Sequence, residues 1–299
     1  MNPFKAFLRN NLKVLGIGWG LLSRSQASNV ARFYAVGPEE VAEFLGGRLL
    51  NFGLWETRRE SHQEAARSLL HRVATLARLD AAEAVVDAGC GFGQPAMEFH
   101  SSYGARRVLG LNVTRCQLDH AARAARVQRL EQRVHFLAGD ATRMPLAKEA
   151  FDRVIALESA FHFSPREAFF REAWRVLRPG GLLVLADVVP LHLRSGRFLK
   201  ALAGAAWLNA PGNRYDTAGY LERLGRVGFR SIEVQSIGDF VFEPYVRWTL
   251  SLENRRRLKR VLGWPRAQAY IWQTKLLGAL DRRGLVDYLL VRAIKEVGG

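Results

Sequence analysis

Residues 84–93 read Ala-Val-Val-Asp-Ala-Gly-Cys-Gly-Phe-Gly, and no other stretch limits what this chain can fold into as tightly. The β-branched pair Val85 and Val86 reads as a strand running into Asp87. Gly89, Gly91 and Gly93 then alternate, and a helical stretch extends from about Gln94 to Ser102. Glycine accepts φ > 0 and carries no Cβ, so a strand–glycine loop–helix junction brings backbone N–H groups close to a ligand. The spacing argues against a dinucleotide, whose fingerprint needs its third glycine at position 94, where this chain has Gln94. An ordinary glycine-rich turn is the alternative reading of the same residues.

The order of the downstream segments speaks for a ligand loop. Arg107–Leu111 reads as a second strand ending at Asn112, and Val134–Leu137 as a third, trailed by Gly139-Asp140-Ala141. Phe151–Leu157 reads as a fourth strand leading into Glu158, and a Pro179-Gly180-Gly181 turn precedes a fifth. Strand-like runs alternating with helical stretches predict a parallel sheet with crossover helices. The helix after Asn112 is amphipathic, with Leu118, Ala121, Ala122, Ala125 and Leu130 on one side. A further helix is expected over Tyr215–Val227, a strand near Phe229–Ile237 and a last strand over Val286–Ile294.

These elements divide the chain into a helical N-terminal cap (1–80), an α/β core (81–237) with an insertion at 190–214, a second insertion (238–285) and a last core strand (286–299). Connections beyond ~12–15 residues usually carry structure or function of their own. Trp207, Trp248, Trp264 and Trp272 lie in or near the two insertions, which are therefore read as helical lids over a substrate cavity.

Charge is the unusual part of the composition. The net charge is +16; residues 1–30 hold Lys5, Arg9, Lys13 and Arg24 with no acid, and Arg255, Arg256, Arg257, Lys259 and Arg260 cluster near the C-terminus. Such clusters suit an anionic membrane face, an acidic carrier protein, a polyanion or an anionic substrate, or form a solvated basic surface. The apolar run Val14–Leu22 is far shorter than the ~20 residues a span requires, and a helix covering the active site is the preferred reading of it. Cys90 and Cys116 have no metal-ligand spacing. A cytoplasmic protein is expected, with the inner membrane face as a peripheral site.

The Asp87–Gly93 loop, with the five ordered matches between residues 84 and 188, resembles the class I S-adenosylmethionine-dependent methyltransferases. That resemblance implies a Rossmann-like, seven-stranded, mostly parallel sheet with its last strand antiparallel and helices on both faces. It also implies S-adenosyl-L-methionine as cofactor. Asp87, Gly89, Gly91, Gly93 and Gln94 would border its methionine part. Asn112, with Gln117, falls at the ribose site, where most members carry Asp or Glu. Asp140 and Ala141 fall at the adenine, with Met144 against the ring, and Glu158 completes the set.

Asn51–Glu56, Gly110–Thr114 and Leu157–Ser159 resemble a bacterial natural-product subgroup. It includes sugar O-methyltransferases of macrolides and indolocarbazoles, isoprenyl diphosphate C-methyltransferases and a cyclase that retains the cofactor. In the sugar O-methyltransferases a histidine after the fourth strand, paired with an aspartate on the fifth, removes the alcohol proton; here these are His162 and Asp187. An imidazole near its usual ~6.5 suits that task. The duller role for His162 is an aromatic wall between Phe161 and Phe163.

The expected activity is methyl transfer to a small, largely apolar metabolite at oxygen, by a monomer or homodimer, with no residue assigned as a metal ligand. C- or N-methylation of an isoprenoid or lipid-like substrate, and non-methylating cyclisation, are the alternatives. Nucleic acid is not an expected partner: Glu158-Ser159-Ala160-Phe161 lacks the Asn/Asp-Pro-Pro-Tyr/Phe motif for planar amino groups.

Overall fold

The computed structural model describes residues 38–190, 213 and 215–296. The basic N-terminal segment with its Val14–Leu22 run, Trp207 and nearly all of the 190–214 insertion lie outside the described residues. In chain order the elements are α1 (Pro38–Leu45), α2 (His62–Ala77), β1 (Val85–Ala88), α3 (Gln94–Ser101), β2 (Val108–Asn112), α4 (Arg115–Val127), β3 (Val134–Ala138) and β4 (Phe151–Leu157). They continue with α5 (Arg166–Val176), β5 (Leu177–Pro190), α6 (Thr217–Val227), β6 (Phe229–Ser236), α7 (Phe242–Leu250), α8 (Leu252–Leu262), α9 (Trp264–Asp281) and β7 (Val286–Lys295).

The strands form one seven-stranded sheet in the order β3-β2-β1-β4-β5-β7-β6. β3 through β5 run parallel, and β7 lies antiparallel between β5 and β6. This is the Rossmann-like architecture expected from the sequence. Strand side chains alternate between two covered faces. Val85, Ile155 and Val184 join α2, α3, α7 and α9 on one side, while Val86, Val154 and Leu183 join α5 and α6 on the other.

Local sequence explains the helices. Ser61 and Glu64 close a capping box at the start of α2, and Ala65, Ala66, Leu69, Leu70, Val73, Ala74 and Ala77 make its buried stripe. Two details depart from expectation. The Pro179-Gly180-Gly181 turn lies inside β5, where it absorbs a register shift between the Phe151↔Leu177 and Arg153↔Leu182 pairs. The tryptophans of the second insertion do not share one fate. Trp248 packs on Phe44, Trp55 and His62, but Trp264 and Trp272 are 66% and 50% exposed, on the solvent side of α9. Ala267 and Ile271 already fill the side of α9 that meets α1 and α8, so these two indoles lie on the side away from that cluster.

Candidate functional site

Parallel strands open their C-terminal ends onto one crevice, the usual ligand position of such sheets. Here Asp87 of β1, Asn112 of β2, Glu158 after β4 and Asp187 of β5 sit at those ends.

The three loop glycines differ in kind. All have positive φ. A Cβ on Gly89 would stand 2.4 Å from the Ser159 Cβ, and one on Gly93 would stand 2.5 Å from the Phe136 ring, so these two serve close packing. A Cβ on Gly91 would meet nothing within 4 Å, which leaves a cradle of open space beside the loop backbone. Asp87 lies next to it, 1% exposed, and its Oδ2 has no partner among the described residues. Burial pushes this carboxyl up to about 7. A buried, unpartnered acid next to an open glycine cradle suits the cationic amino group and methionine chain of S-adenosylmethionine. Cys90 is buried in the same loop, and burial pushes its thiol up, consistent with a packing role.

Asn112 turns inward. Its Nδ2 donates to Gln117 Oε1 (2.9 Å) and to the Gly91 carbonyl (3.3 Å), and its Oδ1 accepts from the Thr114 N–H (3.4 Å). A carboxylate at this position could not donate to the loop carbonyl. Thr114 adds a buried Oγ1 without a partner among the described residues. Asp140 Oδ1 accepts from the Thr142 N–H and Oγ1, both at 2.8 Å. Ala141 and Met144 pack in the core with Leu111 and Ala156. Gln94 reaches Glu98 at 2.8 Å along α3.

Glu158 sits at φ +51°, an uncommon backbone state for a side-chain-bearing residue. Its Oε1 accepts from the Phe52 N–H and the Tyr288 hydroxyl, each at 2.8 Å. The carboxyl therefore ties the Asn51–Glu56 segment to β4 and β7, and burial pushes it up to about 8. The segment itself is held by Leu54 N–H to the Ala65 carbonyl and by Trp55 Nε1–H to the Phe52 carbonyl.

His162 closes a 3-10 turn, Ala160–His162, directly after β4. Its ring is nearly buried, with its centroid 4.1 Å from that of Phe161. Burial, and then the nearby Arg166 guanidinium, lower it to about 3, not the ~6.5 expected from the free side chain. Asp187 is engaged elsewhere than at an open site: Oδ2 pairs with Arg166 Nε (3.0 Å) and accepts from Tyr220 OH (3.0 Å), while Oδ1 accepts from the Val188 N–H (2.9 Å). Nothing in the sequence singles out Arg166, yet it is wholly buried and also donates to the Ala160 and Val188 carbonyls. Asn213 accepts from its N–H at 2.7 Å. An arginine two residues after Ser164 carries no signal of burial, because the partners that neutralise it come from a distant strand and helix.

A methyltransferase-domain family model matches residues 86–185. Erythromycin 3''-O-methyltransferase of Saccharopolyspora erythraea is 30% identical over 252 residues, covering 81% of this chain and 82% of that protein. (+)-O-methylkolavelool synthase of Herpetosiphon aurantiacus is 26% identical over 272 residues, covering 90% and 94%. The crystal structure of the cyclase SpnF superposes with a TM-score of 0.74 at 26% identity, covering 91% of this chain and 97% of that one. With the sheet order, the glycine cradle and these relatives together, the chain belongs to the class I S-adenosylmethionine-dependent methyltransferases.

Proposed function

We propose that this methyltransferase acts on a hydroxyl group of a small, largely apolar natural product. The observation that carries this reading is the relative spanning four-fifths of the chain at 30% identity, which bears the name of a macrolide O-methyltransferase. The name of the second relative, itself that of an O-methyl product, agrees with it.

The bound cofactor supplies a methyl group made electrophilic by its sulfonium. The chain's own contribution is to hold, align and accept a proton. Asp87 and the backbone at Gly91 would hold the methionine part, Asn112, Gln117 and Thr114 the ribose side, and Asp140 with Ala141 the adenine. Correct alignment alone can supply ~7–11 kcal/mol of such a barrier. His162 would take the alcohol proton. Held at about 3, it is neutral across the physiological range but only weakly basic. Burial and Arg166 disfavour the imidazolium, so the proton would be released from it to solvent water as the ether forms. The Arg166–Asp187 pair is a positioning device that joins the turn bearing His162 to β5.

Glu158 is a second candidate for the proton, because a carboxyl near 8 lies closer to the working pH than the imidazole does. Incubating the enzyme with methyl-labelled cofactor and a panel of apolar alcohols, including macrolide glycosides and terpene alcohols, tests the proposal. Label in an ether is expected. Consumption of an unsaturated substrate without loss of label from the cofactor would replace methyl transfer by cyclisation.

A further inference from the structure

Helix α9 buries Ala267, Ile271, Thr274 and Gly278 along one side. Trp264, Trp272 and Lys275 are exposed on another, at spacings that keep them together on a helix. Two exposed indoles on one helix need an explanation, since this face could have been polar at no cost to the core.

Charge frames them. Helix α8 joins α9 through Gly263 and exposes Arg255, Arg256, Lys259 and Arg260, together with Leu252 at 64% exposure. The ion pairs among the described residues involve none of those four cations. Arg257, by contrast, is held inward on the Glu43 carbonyl at 2.7 Å. Lys259 and Arg260 end α8 and Trp264 begins α9, five and four residues on, so exposed cations and an exposed indole flank the Gly263 corner.

Indole presents a flat apolar body with one N–H donor and prefers the boundary between hydrocarbon and headgroups. Arginine and lysine stems reach from there to lipid phosphates. An acidic protein would satisfy the charges, but it would have to present apolar pockets for both indoles between its carboxylates, whereas a bilayer offers headgroup phosphates and hydrocarbon side by side. No helix of the described residues is long and apolar enough to cross a membrane, so contact here is peripheral. We propose that the α8–α9 face docks on an anionic lipid bilayer, with Trp264 and Trp272 among the headgroups and Arg255, Arg256, Lys259, Arg260 and Lys275 on lipid phosphates.

The same helix walls the site from behind. Tyr270 of α9 shares a hydrogen bond with Tyr245, whose ring lies 4.8 Å from Phe52, and the Phe52 N–H donates to Glu158. Through these contacts the docking helix is linked to the Asn51–Glu56 strap that Glu158 holds. The docking face does not depend on which atom of the substrate is methylated.

Co-sedimentation of the full-length protein with phosphatidylcholine/phosphatidylglycerol vesicles, and with phosphatidylcholine vesicles alone, tests the proposal. Binding is expected to the mixed vesicles and to weaken about tenfold or more at high salt, because exposed charges are screened over ~8 Å already at physiological ionic strength. The pair Trp264→Ser and Trp272→Ser, and separately Arg255→Glu with Arg260→Glu, should each lower binding about tenfold. Both should keep the wild-type melting temperature and cofactor affinity, since all four side chains are exposed. Brominated acyl chains should quench tryptophan emission in the wild type more than in the tryptophan variant, a readout that survives any folding defect in the charge variant. Absence of binding to the mixed vesicles, binding by both variants equal to that of the wild type, or loss in the charge variant alone without bromine quenching would each overturn it. The last outcome would identify the face as a site for an acidic macromolecule.

Discussion

A single Cβ separates packing from binding in the glycine loop. Gly93→Ala drives a methyl against Phe136 and should cost ~1–3 kcal/mol from overpacking, lowering the melting temperature with or without cofactor. Gly91→Ala meets no protein atom, so its folding cost should be limited to the ~1–2 kcal/mol of a left-handed backbone. Its cofactor affinity should nevertheless fall tenfold or more; calorimetric titration set against thermal melting separates the two effects. Asp87 gives the loop a pH signature. Its carboxyl sits at about 7 instead of 3.8, so the folded protein keeps a proton that the unfolded chain releases. Stability from this residue therefore falls as pH rises from 3.8 to about 7. A cationic ligand favours the carboxylate, so the rise in melting temperature on adding S-adenosylmethionine should grow up to about pH 7 and level off above it. An Asp87→Asn variant should show a flat, smaller rise; a flat rise in the wild type would remove Asp87 from the cofactor contacts. His162→Ala should lower kcat by ~10²-fold with unchanged cofactor affinity. The wild-type rate should show no inflection near 6.5, because His162 titrates at about 3. An inflection near 8 that disappears in Glu158→Gln would transfer the proton to Glu158.

Between elements, the buried Arg166–Asp187 pair joins the start of α5, the turn carrying His162 and the far end of β5. Tyr220 of α6 completes it, and the Arg166 guanidinium also lies 5.2 Å from that ring. Removing one partner of a buried pair leaves an uncompensated charge, so Arg166→Ala should cost ~3–5 kcal/mol in urea unfolding. The double variant Arg166→Met with Asp187→Leu should cost much less, because it leaves neither charge. If the pair also positions the His162 turn, that double variant should fold yet turn over slowly. Full activity in a well-folded double variant would limit the pair to stability. On the opposite side, Glu158 ties Phe52 to Tyr288. The Asn51–Glu56 motif, conspicuous in the sequence, is thus a strap held against the strand ends.

For the whole molecule, legibility tracked the range of the interaction. The positions of the first five strands, the helices between them and the ligand loop depend on local periodicity and glycine spacing, and could be read from residues 84–188; the order of the strands in the sheet was supplied by the fold. The antiparallel last strand could be read too, through resemblance. The pairing of Asp187 with Arg166, the drop of His162 to about 3, and the use of Asn112 as a donor to Gly91 could not. Each depends on which side chains arrive from other elements and on how much water they exclude. The outward turn of Trp264 and Trp272 belongs with these, since composition marks a tryptophan as apolar without saying which side of α9 the core will claim. By itself, then, the sequence determined the alternating strands and helices and the place of the glycine loop, because short-range backbone geometry sets them, while the seven-stranded sheet and the cofactor class came through resemblance. The protonation states, the buried ion pair and the exposed aromatic face were decided only by tertiary structure, because desolvation and long-range pairing exist only once the chain has closed on itself.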